Sequence, residues 1–440
     1  MTGHRKDPII VPTFERLEPE PDKASWLPYA PAVVVPAGSE YFFLSGTSAL
    51  PLYHAHPHQP EETRLPDDAA EQTRLMMAGI TDLLAWLGLD WSHVIHIYEF
   101  LTDMRDTDDV HRAMYHYLVD RPDAEENWTP ASTLIGVNSL SAPGARVEFD
   151  IIAAKPPTGP VSARPAGGRL RVPGHGTIAS VASDEELLWM SGSTAIDLYH
   201  HHPHIEDEED VPYRASGQVQ KVFDMFDPVL DFMEVGWADT VKFYVWGTDS
   251  RDLAAFGAGI DTAFAGLESH PPTMTVDIDA LSGPPARIEL EMIVTRGPRP
   301  DADAPATEAN PVIEVLHPEP QKAHLLSCAP VVRVSDAPLH FLPGVGPVPA
   351  EEHGPLPDDI VAQTRMLMDN LDAQLSALGL GWRNVVKLLQ QVTDIREADA
   401  VRTALAERYG TSWTPAGTLT HVDALPVRGA RVQLDVIVAG

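Results

Sequence analysis

The sequence contains a single cysteine, Cys328, and no apolar run of the roughly 18 residues that a membrane-spanning helix needs. One thiol excludes an internal disulfide and a metal cage built from several thiolates. The first 20 residues carry charge but lack the apolar segment of an export signal. We therefore expect a cytoplasmic protein with no membrane partner.

Basic residues are also scarce, with 31 Lys and Arg against 64 Asp and Glu, which gives a formal net charge of −33. Such a surface repels phosphate backbones, so nucleic acid is not an expected partner. The 440 residues exceed what one hydrophobic core supports, since single cores stop growing at about 250–300 residues. The sequence therefore predicts several domains.

The most informative stretch is a 32-residue frame, 72–103, which returns without a gap at 218–249 and 363–394. In each copy a Gln opens an amphipathic helix, a glycine-containing turn ends it, and a Trp follows. A β-branched and aromatic run then closes on Thr-Asp in all three copies. The chain is therefore three copies of one unit.

Each unit is predicted to be β–loop–α–β–α–β–β, an α+β sheet with its helices on one face. Two segments rich in Pro, Gly and Ala, 155–168 and 296–311, lack apolar periodicity and are predicted to be linkers. They delimit domains at 1–157, 168–297 and 312–440. The second face of each sheet also needs cover, so we expect three domains around a pseudo-threefold axis, an intramolecular pseudotrimer.

The last strand of each copy alternates charged and apolar residues, which places the charged ones on one face. The apolar face must lie under the helices, so the charged face points to a neighbouring unit or a cleft. This face is either a solvated or cross-strand-paired ladder, or an acid beside a cationic partner that transfers protons between units. Its members are Arg146, Glu148 and Asp150, then Arg287, Glu289 and Glu291, and finally Arg431, Gln433 and Asp435.

A histidine-rich loop, LYHAHPH at 52–58, is repeated as LYHHHPH at 198–204. Its extended His-X-His pattern suits a metal, a substrate anion or acid–base chemistry, or it is a polar loop inherited by two copies. No third ligand type is marked by spacing, so we expect no metal. The matching residues are His54, His56 and His58 in the first loop, and His200, His202 and His204 in the second.

The third copy lacks this loop. Gly46 and Gln72 are 26 positions apart, as are Gly192 and Gln218, whereas Gly344 and Gln363 are only 19 apart. We therefore predict at most two working clefts, with the third one structural.

Several of these motifs resemble the Rid family (reactive intermediate deaminase, also called YjgF/YER057c/UK114), in the same order in all three copies. In the first copy they are Ser45-Gly46, the Gln72 helix, Thr102-Asp103, WTPAST at 128–133 and ARVEFD at 145–150. The resemblance implies a chorismate-mutase-like α+β unit, a trimeric barrel and small-molecule sites between adjacent subunits. Here the subunits would be domains of one chain.

The resemblance also implies site residues. In deaminating members a Tyr lines the pocket, which matches Tyr29 here and is replaced by Cys328 in the third copy. An Arg after a Pro-Ala pair clamps the substrate carboxylate, and a last-strand acid activates water. The Arg position holds Ser132, Thr273 and Gly417, so the clamp is absent and Arg146, Arg287 or a protonated loop His must supply charge. The acid position holds Asp150, Glu291 and Asp435.

A narrower similarity links SGTSALPLYHAHPH at 45–58 to the chorismatases, whose substrate is an enolpyruvyl ether. We expect a cofactor-free enzyme that acts by acid–base chemistry, hydrolytic or rearranging, on a small imine, enamine or related conjugated metabolite. The alternatives are a chorismatase-like enzyme and a non-catalytic metabolite-binding protein. The expected catalytic residues are His54, His56, Asp150, His200, His202 and Glu291, and the expected binding residues are Tyr29, Ser132, Arg146, Thr273, Arg287 and Asp435.

Overall fold

The three sequence repeats form three α+β units around a common centre in a computed structural model. It describes residues 14–26, 29–54, 58, 64–119, 128–158, 168–172, 176–201, 211–267, 270–283, 285–297, 312–319, 321–322, 328–349, 354–409 and 413–440. Within these ranges no helix is long and apolar enough to cross a membrane.

The units share one order of elements, except that the second has an additional short strand before its first helix and the third lacks the two-residue strand before its last strand among the described residues. The first comprises β1 (Glu15–Leu17), β2 (Ala32–Val35), β3 (Glu40–Leu44), α1 (Ala69–Leu87), β4 (Val94–Leu101), α2 (Thr107–Leu118), β5 (Ala131–Gly136), β6 (Ser139–Leu140) and β7 (Val147–Lys155). The second comprises β8 (Gly168–Val172), β9 (Gly176–Val181), β10 (Glu186–Met190), β11 (Ser193–Thr194), α3 (Ala215–Phe232), β12 (Thr240–Gly247), α4 (Leu253–Ala263), β13 (Thr273–Asp277), β14 (Ala280–Leu281) and β15 (Ile288–Arg296). The third comprises β16 (Val312–Leu316), β17 (Val331–Ser335), β18 (Leu339–Phe341), α5 (Ile360–Ala377), β19 (Val385–Val392), α6 (Ala398–Tyr409), β20 (Ala416–His421) and β21 (Val432–Ala439).

The repeated Gln ties the start of the first helix to the start of the last strand. The Gln72 amide accepts a hydrogen bond from the Arg146 backbone N–H at 2.8 Å and donates to the Pro66 and Gly144 carbonyls at 2.6 and 2.9 Å. Gln218 and Gln363 make the corresponding three bonds in their own units. Buried backbone groups need such partners, which explains why the frame opens on Gln.

The repeated Trp fixes the return from the helix to the next strand. Trp91 donates its indole N–H to Thr81 at 2.9 Å, ten residues earlier in α1. Trp237 and Trp382 donate to the aspartates ten residues before them, at 2.8 and 2.6 Å. The Asp that ends the frame then caps the next turn, as Asp103 does by accepting from the Arg105 N–H at 3.0 Å.

Each sheet contains strands from two or three units. The hairpin β1–β2 pairs with β10 of the second unit, β8–β9 with β18 of the third, and β16–β17 with β3 of the first. The exchange therefore closes a ring. Two short strands pair with the preceding unit instead: β6 of the first unit pairs with β20 of the third, and β14 of the second unit pairs with β5 of the first. Each of the three sheets has seven strands among the described residues.

The predicted α+β pseudotrimer is confirmed, because the inner faces of the three sheets share one hydrophobic core. Its centre is aromatic, with Tyr98 packed edge-on against Tyr244 at 6.0 Å and Trp189 against Phe341 at 6.3 Å between ring centroids. Each unit also has its own core between its sheet and its two helices. The linker-based domain limits remain a prediction, because the hairpin exchange means that one repeat is not one sheet.

Buried carboxyl groups on the last strands join neighbouring units. Asp150 lies 2.6 Å from the Lys387 ammonium, and Asp435 pairs with Lys242; all four side chains are at most 7% exposed. Glu291 accepts from Tyr98 at 2.6 Å and lies 3.4 Å from His96. Asp150 and Asp435 therefore lie beside cationic partners between units, as one of the two interpretations of this face expected, and their role in proton transfer stays a prediction.

The third of these pairs carries little charge. Burial raises the pKa of Glu291 to about 8 and lowers that of His96 to about 3, so both groups are mainly neutral at pH 7. Two seams are therefore held by Lys–Asp ion pairs and one by a neutral Glu–His pair with a tyrosine.

Lys387→Met should lower the free energy of unfolding by about 3–5 kcal/mol, because it leaves the Asp150 carboxylate buried without its cation. Urea unfolding followed by circular dichroism measures this loss. Arg105→Met, which breaks an exposed pair with Asp103, is the control and should cause no measurable change.

The double variant Lys387→Met/Asp150→Leu should be more stable than Lys387→Met alone, since it removes the orphaned charge. Equal stability of the double and single variants would contradict this account of the seam.

Candidate functional site

Two clefts open at the seams between units. The first cleft, of about 730 Å³, lies between the first and third units and is lined by residues that include Ser45, Gly46, His54, Glu148, Cys328, Gln390, Arg402 and Gly417. The second cleft, of about 520 Å³, lies between the second and first units and is lined by residues that include Tyr29, His111, Ser132, Gly192, Ser193, His200 and Glu289.

A buried carboxyl group lies beneath a glycine in each cleft. Glu148 and Glu289 are the second residues of β7 and β15, and each is 4% exposed. A Cβ on Gly46 would lie 2.2 Å from the Glu148 Oε1, and one on Gly192 would lie 2.0 Å from the Glu289 Oε1. Glycine is therefore required for the loop to pass over the carboxyl.

Both carboxyl groups hold protons more tightly than usual. Burial raises the pKa of Glu148 to about 7, with Arg402 opposing the shift and Asp150 reinforcing it. Burial, reinforced by Glu291 and Glu99, raises the pKa of Glu289 well above its ordinary value. A carboxyl group that is protonated near neutral pH can donate a proton to a ligand.

The acids expected to be catalytic lie elsewhere. Asp150, Glu291 and Asp435 are the fourth residues of their strands, and they bond to the neighbouring unit instead of lining the clefts. The second and fourth residues share one face of the strand but lie at different heights along it, so the second reaches the cleft and the fourth reaches the seam with the neighbouring unit. Sequence analysis placed Glu148 and Glu289 on the right face but did not select them.

A cation projects into each cleft from the second helix of the adjacent unit. Arg402 and His111 are both the fifth residue of that helix, in α6 and α2, and each lines one cleft. Gly257 occupies the same place in α4. Sequence analysis missed these residues because a single Arg or His on a helix carries no signal until the helix is placed over the cleft.

The second cleft contains a hydrogen-bonded chain of three side chains. Ser132 donates to the Glu99 Oε1 at 2.5 Å, and the His111 Nε2 lies 3.2 Å from the Glu99 Oε2. Burial lowers the pKa of His111, but the Glu99 carboxylate more than offsets this, and the net shift is upward. Tyr29 lines the same cleft, and burial beside Glu289 and Glu99 raises the pKa of its hydroxyl.

In the first cleft the corresponding positions hold other residues. Gln390, the sixth residue of β19, takes the place of Glu99 in β4, and Cys328 takes the place of Tyr29. Gln390 is 6% exposed, and its amide oxygen accepts no hydrogen bond from the described residues. The cleft therefore has an unused acceptor beside the Arg402 cation.

The histidine loops contribute two rings, His54 and His58, to the first cleft and one ring, His200, to the second. The Nδ1 atoms of His54 and His200 bond to the carbonyls three residues earlier, Pro51 and Asp197, at 2.8 and 2.7 Å. Because a carbonyl only accepts, Nδ1 carries the proton in both rings. His58 stacks on His54 at 5.0 Å, while His56, His202 and His204 lie outside the described residues.

The remaining expected residues do not line either cleft. Arg146 pairs with Asp106 at 2.6 Å within its own unit, and Arg287 is placed likewise against Asp249 and Asp252. Thr273 lies at the third seam, where its carbonyl accepts from the Gly344 N–H at 3.0 Å. At that seam Gln433 occupies the strand position of Glu148 and Glu289, and its amide donates a hydrogen bond to Gln391 at 2.9 Å.

No group of three His, Cys, Asp or Glu side chains is arranged to hold a metal ion among the residues the structure describes.

Comparison with known proteins agrees with this architecture. The profile of the family described as Endoribonuclease L-PSP matches residues 24–155, 178–296 and 321–439. The chain belongs to the Endoribonuclease L-PSP family. The Rid resemblance inferred from the motifs is thereby confirmed for each of the three copies.

Three relatives of this L-PSP protein illustrate the similarity. Protein DfrA of Myxococcus xanthus is 35% identical over 106 residues, which cover 24% of this chain and 79% of that protein. A structure of the Rid-family protein YyfA from Yersinia pestis is 28% identical and covers 24% of this chain and 86% of its own, with a TM-score of 0.22. A chorismatase structure is 14% identical, and the match covers 79% of this chain and 93% of the chorismatase chain, with a TM-score of 0.42.

Gly46→Ala should lower the free energy of unfolding by about 1–3 kcal/mol, because the new Cβ meets both Glu148 and the Thr418 side chain. Urea unfolding measures the change. Gly79→Ala, in the interior of α1 with nothing within 4 Å of the added Cβ, is the control and should stabilise the protein slightly. A Gly46→Ala protein as stable as the wild type would show that the carboxyl does not pack beneath this loop.

Proposed function

We propose that this L-PSP protein is an enzyme that converts a small imine, enamine or related conjugated metabolite by general acid–base catalysis in its two clefts. The observation that supports this most is the buried carboxyl group at the floor of each cleft: burial raises the pKa of Glu148 to about 7 and raises that of Glu289 well above its ordinary value. Catalytic acids near neutral pH commonly have pKa values raised by burial in this way.

The proposed reaction begins with proton transfer from the carboxyl group. Glu148 or Glu289 protonates the enamine carbon or the imine nitrogen, which leaves an electrophilic C=N⁺ group. A water molecule adds to that carbon, and the carboxylate just formed takes back one proton from the water. The carboxyl group then donates its proton to the nitrogen of the adduct as the C–N bond breaks, and it takes the proton of the hydroxyl group, which becomes the carbonyl. The amine leaves, and the enzyme is again in its protonated form.

We assign positioning roles to the neighbouring groups. His54 and His200 lie at the cleft walls with fixed Nδ1–H tautomers, which suits proton exchange between the cleft and solvent. In the second cleft Tyr29 and Ser132 face the ligand space from the adjoining unit. Asp150 and Glu291 bond to the neighbouring units and so hold in place the strands that carry Glu148 and Glu289.

Glu148→Gln and Glu289→Gln should each remove the turnover of one cleft, and the double variant should lose at least about 100-fold, the typical contribution of a general acid. The assay is a screen of imines and enamines formed from 2-oxo acids, with chorismate as the enolpyruvyl representative. Glu407→Gln, at an exposed carboxyl paired with Arg365, is the matched control and should keep full activity. A fully active double variant would refute the assignment.

The activity of the Glu289→Gln variant, which isolates the first cleft, should fall as the pH rises through about 7. Only the protonated form of Glu148 donates, and its pKa is about 7, so kcat/KM should drop about tenfold per pH unit above that value. A pH profile of kcat/KM from pH 5.5 to 9 measures this limb. A rate that rises through the same range would assign Glu148 as a base instead.

A further inference from the structure

The three equivalent ligand positions of this chain have different cation and acceptor residues. Above the first cleft stands Arg402, above the second His111, and at the third seam Gly257, all at the fifth position of the second helix. Facing them at the sixth position of the strand are Gln390, Glu99 and Val245. One ancestral arrangement has therefore become three chemically different ones.

Charge separates the first two clefts. In the second, His111 is already matched by Glu99 at 3.2 Å, so the pair presents no net positive charge to a ligand. In the first, the strand residue is the neutral Gln390. Among the described residues the ion-pair partner of Arg402 is Asp399, at 3.4 Å, whose side chain is 55% exposed; the Glu148 carboxyl on the cleft floor also interacts electrostatically with the guanidinium. A pair at that distance with a solvated carboxylate is weak, and the protonated form of Glu148 carries no charge, so the guanidinium can bind an anion.

Two further observations point to a ligand at Arg402. The Arg402 side chain is only 13% exposed and lines the cleft together with Glu148. In the same cleft the Gln390 amide oxygen is buried and accepts no hydrogen bond from the described residues, and a buried acceptor without a partner is costly. A small molecule with an anionic group for Arg402 and an N–H or O–H for Gln390 would satisfy both.

We infer that Arg402 makes the first cleft a carboxylate-binding site and that the second cleft, with its self-neutralised Glu99–His111 pair, takes an uncharged ligand. In this cleft the guanidinium comes from helix α6. The position in β20 at which the Rid resemblance implies a clamping arginine holds Gly417. A planar guanidinium grips a carboxylate through two parallel hydrogen bonds, which an imidazole in the second cleft cannot do. The inference rests on the proposed function only in that the first cleft must bind a small molecule.

Calorimetric binding of crotonate, a small conjugated carboxylate, and of crotonamide, its uncharged counterpart, tests this inference. The wild type should bind one crotonate per chain. Arg402→Gln should weaken crotonate binding about 10–100-fold, as expected for loss of a charge-assisted pair, and should leave crotonamide binding unchanged. Arg402→Lys keeps the positive charge but loses the paired N–H donors of the guanidinium, so its affinity for crotonate should lie between those of the wild type and Arg402→Gln.

Arg408→Gln is the matched control, since Arg408 lies on the same helix but faces Asp369 and Asp372 on α5. It should bind crotonate as the wild type does, and thermal unfolding of every variant confirms folding. The inference is overturned if crotonate fails to bind, binds two sites per chain, or binds Arg402→Gln as tightly as the wild type. Crotonate binding that depends on Arg402 in a protein without turnover would uphold this inference and refute only the proposed catalysis.

Discussion

The structure depends on buried carboxyl groups that reach from the last strand of one unit to the third residue of the facing strand in the next. Those facing residues are Lys387, His96 and Lys242. Removing a charged group from water costs several kcal/mol unless its partner is close, so each of the two Lys–Asp pairs fixes the distance between two sheets. At the remaining seam the neutral Glu291–His96 contact is joined by the hydrogen bond from Tyr98. The cleft carboxyls Glu148 and Glu289 are two residues from Asp150 and Glu291 on the same strands, so these contacts also position the clefts.

The strand exchange makes this constraint cooperative. Each amino-terminal hairpin adds to the sheet of the following unit, and the third hairpin returns to the first. A seam therefore cannot open without breaking main-chain ladders as well as a buried pair. Separate subunits would gain the same contacts only at sufficient concentration, whereas one chain supplies them together.

Fusion into one chain also allows the three ligand positions to differ. In a homotrimer a substitution at one position changes all three clefts. Here Arg402, His111 and Gly257 change independently, as do Gln390, Glu99 and Val245. At the third seam Gln433 hydrogen-bonds to Gln391 and the histidine loop is absent, which agrees with the prediction that this seam serves packing alone.

Local periodicity was enough to predict much of the fold. The Gln, Trp and Thr-Asp positions of the repeat, and the alternation of Val147, Phe149 and Ile151 against Glu148 and Asp150, predicted the units, their helix-covered faces and the pseudotrimer. These features follow from residues close in sequence, because side chains alternate along a strand and recur every three to four residues on a helix.

Only the tertiary structure decided which residues on the charged face of the last strand line a cleft. Glu148 and Asp150 are indistinguishable by pattern, yet one lies in a cleft and the other in an ion pair with a residue 237 positions away, because the neighbouring sheet covers one and not the other. Arg402 and His111 likewise became site residues only when their helices were placed over another unit's strand. Sequence therefore determined the repeating units and their faces, and the packing of distant segments determined the electrostatics of the clefts.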